Sequence, residues 1–171
     1  LTPQGSHMLD FDVFMSLPSP SGPQSFSSRA NLESYGFLYS DYYGVEGLPI
    51  GMVKDRRGEG YTPLAKHAKD LTRDYVGLTC AACHTGDLRY NGERLLIHAG
   101  QGNLDYERFI SDLEMAVSEA LQDPKGTGYI AQMAGKGVDE SNATSRLAAA
   151  KQRVDGLRAR GQVPAGRESG P

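Results

Sequence analysis

The sequence has no tryptophan, only two cysteines, and no apolar run near the ~20 residues that a membrane-spanning helix needs. A dominant charge is lacking as well. Eighteen Lys and Arg stand against 21 Asp and Glu, a formal charge of −3, which calls for neither nucleic acid nor a membrane surface as partner. There is no glycine-rich phosphate loop and no nucleophile–base pair, and the carboxylates fall on faces that read as solvated. Glycine is plentiful at 21 residues, with nine prolines, so much of the backbone should be turns and irregular structure. At 171 residues the length suits one domain. "GSHM" at Gly5–Met8 reads as an expression-vector remnant and "LTPQ" before it as linker, so residues 1–8, His7 included, are set aside from fold reasoning. A secretion signal would have been replaced by that remnant.

Both cysteines lie in "VGLTCAACHTG", Val76–Gly86, with a histidine directly after the second. A lone pair of cysteines allows a disulfide, a redox pair or half a zinc site. A zinc site would need a second ligand pair, and no further cysteine exists. A thioredoxin-like pair expects a buried strand before it, and the residues ahead of Cys80 show no such pattern. The spacing Cys80-Ala81-Ala82-Cys83-His84 matches the attachment signature of c-type haem. Two thiols on one helical turn can each add across a porphyrin vinyl group, and the next residue then meets the iron from the proximal side. Ala81 and Ala82 are small enough to let the turn lie along the macrocycle edge. Covalent haem c, one per chain, is therefore the expected cofactor, with His84 as proximal ligand. Its attachment needs an oxidising compartment, so a bacterial periplasm or the cell exterior is the expected location.

Residues 9–25 mix scattered apolar positions with Pro, Ser and Gly and read as an extended N-terminal segment, packed across the domain or partly disordered. Ser27 or Ser28 can cap a helix carrying Leu32 and Tyr35. Five Tyr or Phe between residues 35 and 43 read as core or haem-edge packing. Residues 44–63 read as loop, with Arg56 and Arg57 facing solvent or a haem propionate, and a helix follows from residue 63 or 64 to 74. "DLRYNGERLLIHAG" reads as a hairpin turning at Asn91-Gly92. The clearest helix runs from Asp105 to Leu121, with Phe109, Ile110, Leu113, Ala116, Val117 and Ala120 on one stripe. A second runs from Ser145 to Arg160, weakened by Gly156. The expected architecture is mainly α: a cytochrome c-like helical domain around one covalent haem, with long loops and a short β-hairpin. It occupies residues 9–160, and residues 161–171 form a disordered tail.

What such a haem does turns on the other axial position. His98, Met133 and Met52 are the candidates there, and an open or water-ligated site is the fourth. Met133 comes from the C-terminal half on a glycine-flanked stretch. Met52 sits in a glycine-bordered loop, an odd place for a core methionine. His98 follows an apolar run in a glycine-rich turn. His67, between lysines, reads as exposed, Met115 lies off its helix stripe, and Met15 is remote.

The surroundings of the motif carry a resemblance. "GLPIGMVKD" and "YVGLTCAACHTGDLRYNGERLLIHAGQGNLDYERFISDLEMAV" resemble the first haem-binding region of the dihaem cytochrome c peroxidase-like proteins, closest to their rubber-oxygenase-like branch, over roughly Tyr35–Met133. The resemblance implies thioethers at Cys80 and Cys83, His84 as proximal ligand, and the Met52 loop and His98 turn beside the haem. In the bacterial peroxidases a histidine at a similar distance ligates the first haem distally, which favours His98. The family carries two attachment motifs where this sequence has one. Met52 stands where an aromatic is usual, and "IHAG" replaces "IDGG". A lone haem cannot run a two-haem relay, so peroxidase activity does not carry over. The expected function is single-electron transfer to or from a redox partner protein; the alternative is a peroxidase- or oxygenase-type domain with an open distal site, where His98 acts as acid–base with Arg94 or Gln101.

Overall fold

In a computed structural model the described residues are 7–20, 22–41, 47–55 and 73–161, with backbone alone at 55, 160 and 161. The first ordered element is a two-residue strand, β1 (Leu9–Asp10), which runs straight into helix α1 (Phe11–Ser16). Asp10 caps that helix, its carboxylate accepting from the Val13 N–H at 3.2 Å. Leu9, Val13 and Phe14 are fully buried. Of the two readings of this segment, packing across the domain is the one found, as a short strand and a helix rather than extended chain. Val13 and Phe14 lie four and three residues before Leu17, a helical spacing of apolar groups that Pro18 ends. Met8, one of the residues set aside, is buried too, and its N–H donates to the Val76 carbonyl at 2.8 Å.

Helix α2 (Arg29–Ser34) begins at the expected cap, with the Ser28 hydroxyl accepting from the Asn31 N–H. Strand β2 (Met52–Asp55) lies within the stretch read as loop, and β3 (Tyr75–Leu78) pairs antiparallel with both β1 and β2. Leu9 faces Val76 and Met52 faces Leu78 in the register. The helix expected over 63–74, Arg56, Arg57 and His67 lie outside the described residues, apart from Arg73 and Asp74, which are not helical. A single turn, α3 (Cys80–Cys83), connects β3 to a hairpin of β4 (Thr85–Tyr90) and β5 (Glu93–His98). Asn91 and Gly92 turn it with φ of 49° and 82°, the paired left-handed values that an Asn-Gly turn supplies.

Helix α4 (Tyr106–Gln122) starts at Asp105, whose carboxylate accepts from the Arg108 N–H at 3.0 Å, and buries the expected stripe. A short helix unread in the sequence, α5 (Tyr129–Ala134), buries Tyr129 and Met133. Helix α6 (Glu140–Gly161) starts earlier than expected because Asp139 caps it, accepting from the Asn142 N–H at 2.9 Å. Ala143, Leu147, Ala150 and Val154 pack it on α4.

Helices make up 46% and strands 18% of the described residues. The expectation of a mainly α, cytochrome c-like domain built around a haem is therefore corrected: the fold mixes α and β, with two small antiparallel sheets. The reason lies in pairing between distant segments: β1 and β2 bond to the two sides of β3, so stretches without a strand signal become sheet. In the core, Phe109 sits among Phe26, Tyr35 and Phe37 at ring distances of 5.9, 5.6 and 5.1 Å. Tyr35, Phe37 and Tyr39 of the aromatic run belong to it, and burial, then a hydrogen bond to Asp112, pushes the Tyr35 hydroxyl up to about 12.

One buried ion pair ties the first strand to the last helix. The Arg146 guanidinium donates to both carboxylate oxygens of Asp10, through Nε at 2.9 Å, and to Asp12 at 2.8 Å. Arg146 and Asp10 are each less than a tenth exposed. Arg146→Ala would leave the buried Asp10 carboxylate only the Val13 N–H at 3.2 Å and Arg73 at 3.9 Å, and a loss of about 3 kcal/mol is expected in urea unfolding. Lys151→Ala, which removes a far more exposed pair with Asp155, should cost less than about 1 kcal/mol.

Candidate functional site

β3, the central strand of its sheet, ends at Leu78 and delivers Thr79 as the cap of α3. The Ala82 N–H donates to the Thr79 carbonyl at 3.1 Å and the His84 N–H to the Cys80 carbonyl at 2.9 Å, closing the turn. Cys80, Cys83 and His84 are all exposed while Ala82 is buried. The turn therefore puts both thiols and the imidazole at the surface and its small residue inward.

Two glycines hold this turn by close backbone approach. Gly51, at φ +81°, lies against Ala81 and Ala82: a Cβ there would fall 2.0 Å from the Ala82 nitrogen. Its carbonyl accepts from the Thr79 N–H at 2.7 Å. On the other side the Gly102 N–H donates to the Cys83 carbonyl at 2.9 Å, and a Cβ on Gly102 would fall 2.7 Å from that oxygen and 2.8 Å from the Thr85 oxygen. Only glycine permits either approach. This explains Gly51 before Met52 and Gly102 after His98, which the sequence shows but does not explain.

The two candidate methionines are buried in the core. Met52 is 2% exposed and Met133 fully buried, both inside the hydrophobic core. Met52 looked displaced only while its stretch was taken for loop; as the first residue of β2 it is an ordinary core residue. His98 does come beside His84, because Thr85 and His98 are register partners. Paired Cα atoms in an antiparallel ladder are about 4.5–5.5 Å apart and His84 is one step of about 3.8 Å further, so the two histidine Cα atoms lie within roughly 9 Å. Arg94, the suggested helper, is committed elsewhere: it donates to Asp87 at 3.0 Å and to the Tyr39 carbonyl at 2.9 Å.

A buried strand does precede the cysteine pair, contrary to the sequence reading that set aside a thiol-redox site on that ground. The rest of the setting still differs from such a site. β3 is antiparallel to both neighbours, and a one-turn helix leads into a hairpin. Desolvation, then the neighbouring Cys80, raises the Cys83 thiol pKa, the opposite of what activates a redox thiol. Among the described residues no three His, Cys, Asp or Glu side chains are grouped so as to hold a metal ion. No helix among them is long and apolar enough to cross a membrane.

The hairpin holds a feature the sequence reading passed over. Leu88, Tyr90, Leu95 and Ile97 are 49, 68, 47 and 47% exposed. Their alternation is visible in "DLRYNGERLLI", but alternation alone does not say which face meets solvent.

The chain is similar to the uncharacterized protein y4iJ of Sinorhizobium fredii (strain NBRC 101917 / NGR234), 34% identical over 90 residues. The match takes in 49% of this chain and 14% of that protein, so the chain spans a small part of its relative's length. No family model and no solved structure matches.

Gly51→Ala should displace the turn, lowering stability by more than about 1 kcal/mol through the positive φ and the backbone clash together. Gly102→Ala should act in the same direction through its clash alone. Gly47→Ala, also at positive φ but with open space around its Cβ, separates the two contributions: it should cost only the conformational part. Thermal melts of the three variants check this.

Proposed function

We propose that the chain is a haem c domain that passes single electrons, with Cys80 and Cys83 as the covalent attachment points and His84 as the proximal ligand. The observation that carries this reading is the exposure of all three side chains on one backbone-clamped turn, outside a core already filled by side chains. Two accessible thiols on one turn suit two vinyl groups. In each addition the sulfur bonds to one vinyl carbon and the thiol hydrogen ends on the other, with no net oxidation. The bound haem supplies reversible one-electron chemistry at iron, tuned by axial ligation and burial. The chain's own part is to hold the turn rigid and keep it at the surface, where a redox partner protein can approach. A periplasmic or secreted location goes with this proposal.

A second reading, a peroxidase- or oxygenase-type domain with an open distal position, gains from the placement of the other candidates. Met52 and Met133 are inside the core, and the hairpin register sets His98 beside His84 rather than across from it.

Produced in cells that attach haem to cysteine, the chain should retain haem through acid–acetone extraction, and Cys80→Ser/Cys83→Ser should lose it. A parent chain that keeps no haem would end the proposal. The ferric electron paramagnetic resonance spectrum should be the same in His98→Ala as in the parent; a low-spin signal lost on that substitution would restore His98 as sixth ligand. A high-spin signal with carbon monoxide uptake by the ferrous protein would favour the second reading over electron transfer.

A further inference from the structure

Surface hairpins ordinarily turn their apolar face inward and their polar face to water. The β4–β5 hairpin does the reverse. One face carries Thr85, Asp87, Arg89, Arg94, Leu96 and His98; Thr85 is buried and Arg94 donates to Asp87 and to the Tyr39 carbonyl, so this largely polar face is the one anchored to the body of the protein, with Arg89 and His98 exposed on it. The opposite face carries Leu88, Tyr90, Leu95 and Ile97, all close to half exposed or more. Elsewhere among the described residues the only exposed large hydrophobic side chains are Tyr106 and Met115 on α4. A contiguous apolar patch kept in water marks a surface meant to be covered.

We infer that this apolar face is the wall against which the haem attached at Cys80 and Cys83 lies, so that the hairpin rather than the helical core shields the porphyrin. The inference rests on the haem reading above. Three observations select this occupant. The face is continuous with the attachment turn: β4 begins at the residue after His84, and the pair Gly86–Ile97 is the first of the apolar face. The loop after β5 is pinned to both, since Gly102 bonds the Cys83 carbonyl and Gly100 lies in contact range of Ile97. The patch also has a suitable size and character. Adjacent strands about 4.8 Å apart, with same-face residues about 6.8 Å apart along each, make a flat area on the order of 10 Å across, the scale of a macrocycle. Its leucines and isoleucine carry no charge, and Glu93 stands at the turn end, away from the cysteines. Finally, the interior behind the turn is occupied, with Ala82 and Met52 both buried there, so a haem tethered at this turn has to be covered from outside. His98, on the face opposite the patch, has no place on this wall.

The test uses the haem-loaded chain, its covalent haem first verified by extraction. Leu88→Asp/Leu95→Asp and the neutral Leu88→Asn/Leu95→Asn should retain haem as the parent does, because attachment needs only the thiols. Both should shift the Soret band and lower the reduction potential, the aspartates more than the asparagines, since polarity and negative charge favour ferric iron. Met115→Asp should change neither. In the haem-free Cys80→Ser/Cys83→Ser chain, the hydrophobic dye anilinonaphthalene sulfonate should bind and fluoresce several-fold more than in the haem-loaded chain, and the added Leu→Asp pair should abolish that signal. Haem retained with Soret band and potential unmoved in both double variants would overturn the inference while leaving the haem reading standing. Equal dye binding by haem-free and haem-loaded chains would do the same. A parent chain without haem would remove both.

Discussion

The buried pair of Arg146 with Asp10 is the interaction from which the rest of this structure can be followed. Asp10 caps α1, ends β1 and accepts from a guanidinium on the last helix. Two charged groups out of water stabilise little by themselves, but an orphaned partner is expensive, so the pair fixes which surfaces meet. It closes the chain's first strand onto α6, and β1 in turn flanks β3. β3 is the strand that ends in the cysteine turn. The position of Cys80 therefore depends on a contact made 66 residues later, at Arg146.

At the turn itself, specificity comes from absent atoms. Gly51 and Gly102 bring backbone against backbone on two sides of the CAACH segment, and their hydrogen bonds to Thr79 and Cys83 leave it little freedom to unwind. A segment that must present two thiols and an imidazole to one planar group benefits from such rigidity, because geometry fixed beforehand is not ordered at the expense of binding. The inverted hairpin extends the same logic outward. Its polar face is used up in anchoring through Arg94, and its apolar face stays available.

The three axial-ligand candidates show what a one-dimensional reading leaves out. Met52 seemed odd beside Gly51 because glycine and charge around it suggested a loop; pairing with β3 made it core. Met133 stood on a glycine-flanked stretch and turned out to be the buried side of a short helix. His98 was at a suitable distance along the chain, yet a hairpin brings residues together two by two and seats it next to His84 instead of opposite. Sequence separation cannot distinguish beside from across.

Local chemistry was legible in the residues alone. The Ser28 and Asp105 caps, the Asn91-Gly92 turn and the apolar stripe of α4 follow from short-range rules of hydrogen bonding, backbone conformation and period, and each is where the sequence puts it. The CAACH spacing, too, is a local fact. What needed the tertiary structure was everything set by contacts far apart in the chain. That includes the burial of most of residues 8–17, the aromatic core, and the three-stranded sheet built from β1, β3 and β2, which with the hairpin makes the fold mixed rather than mainly α. It also includes the facing of the hairpin. Alternation along a strand defines two faces but assigns neither to water, and only the packing of the whole chain makes that choice.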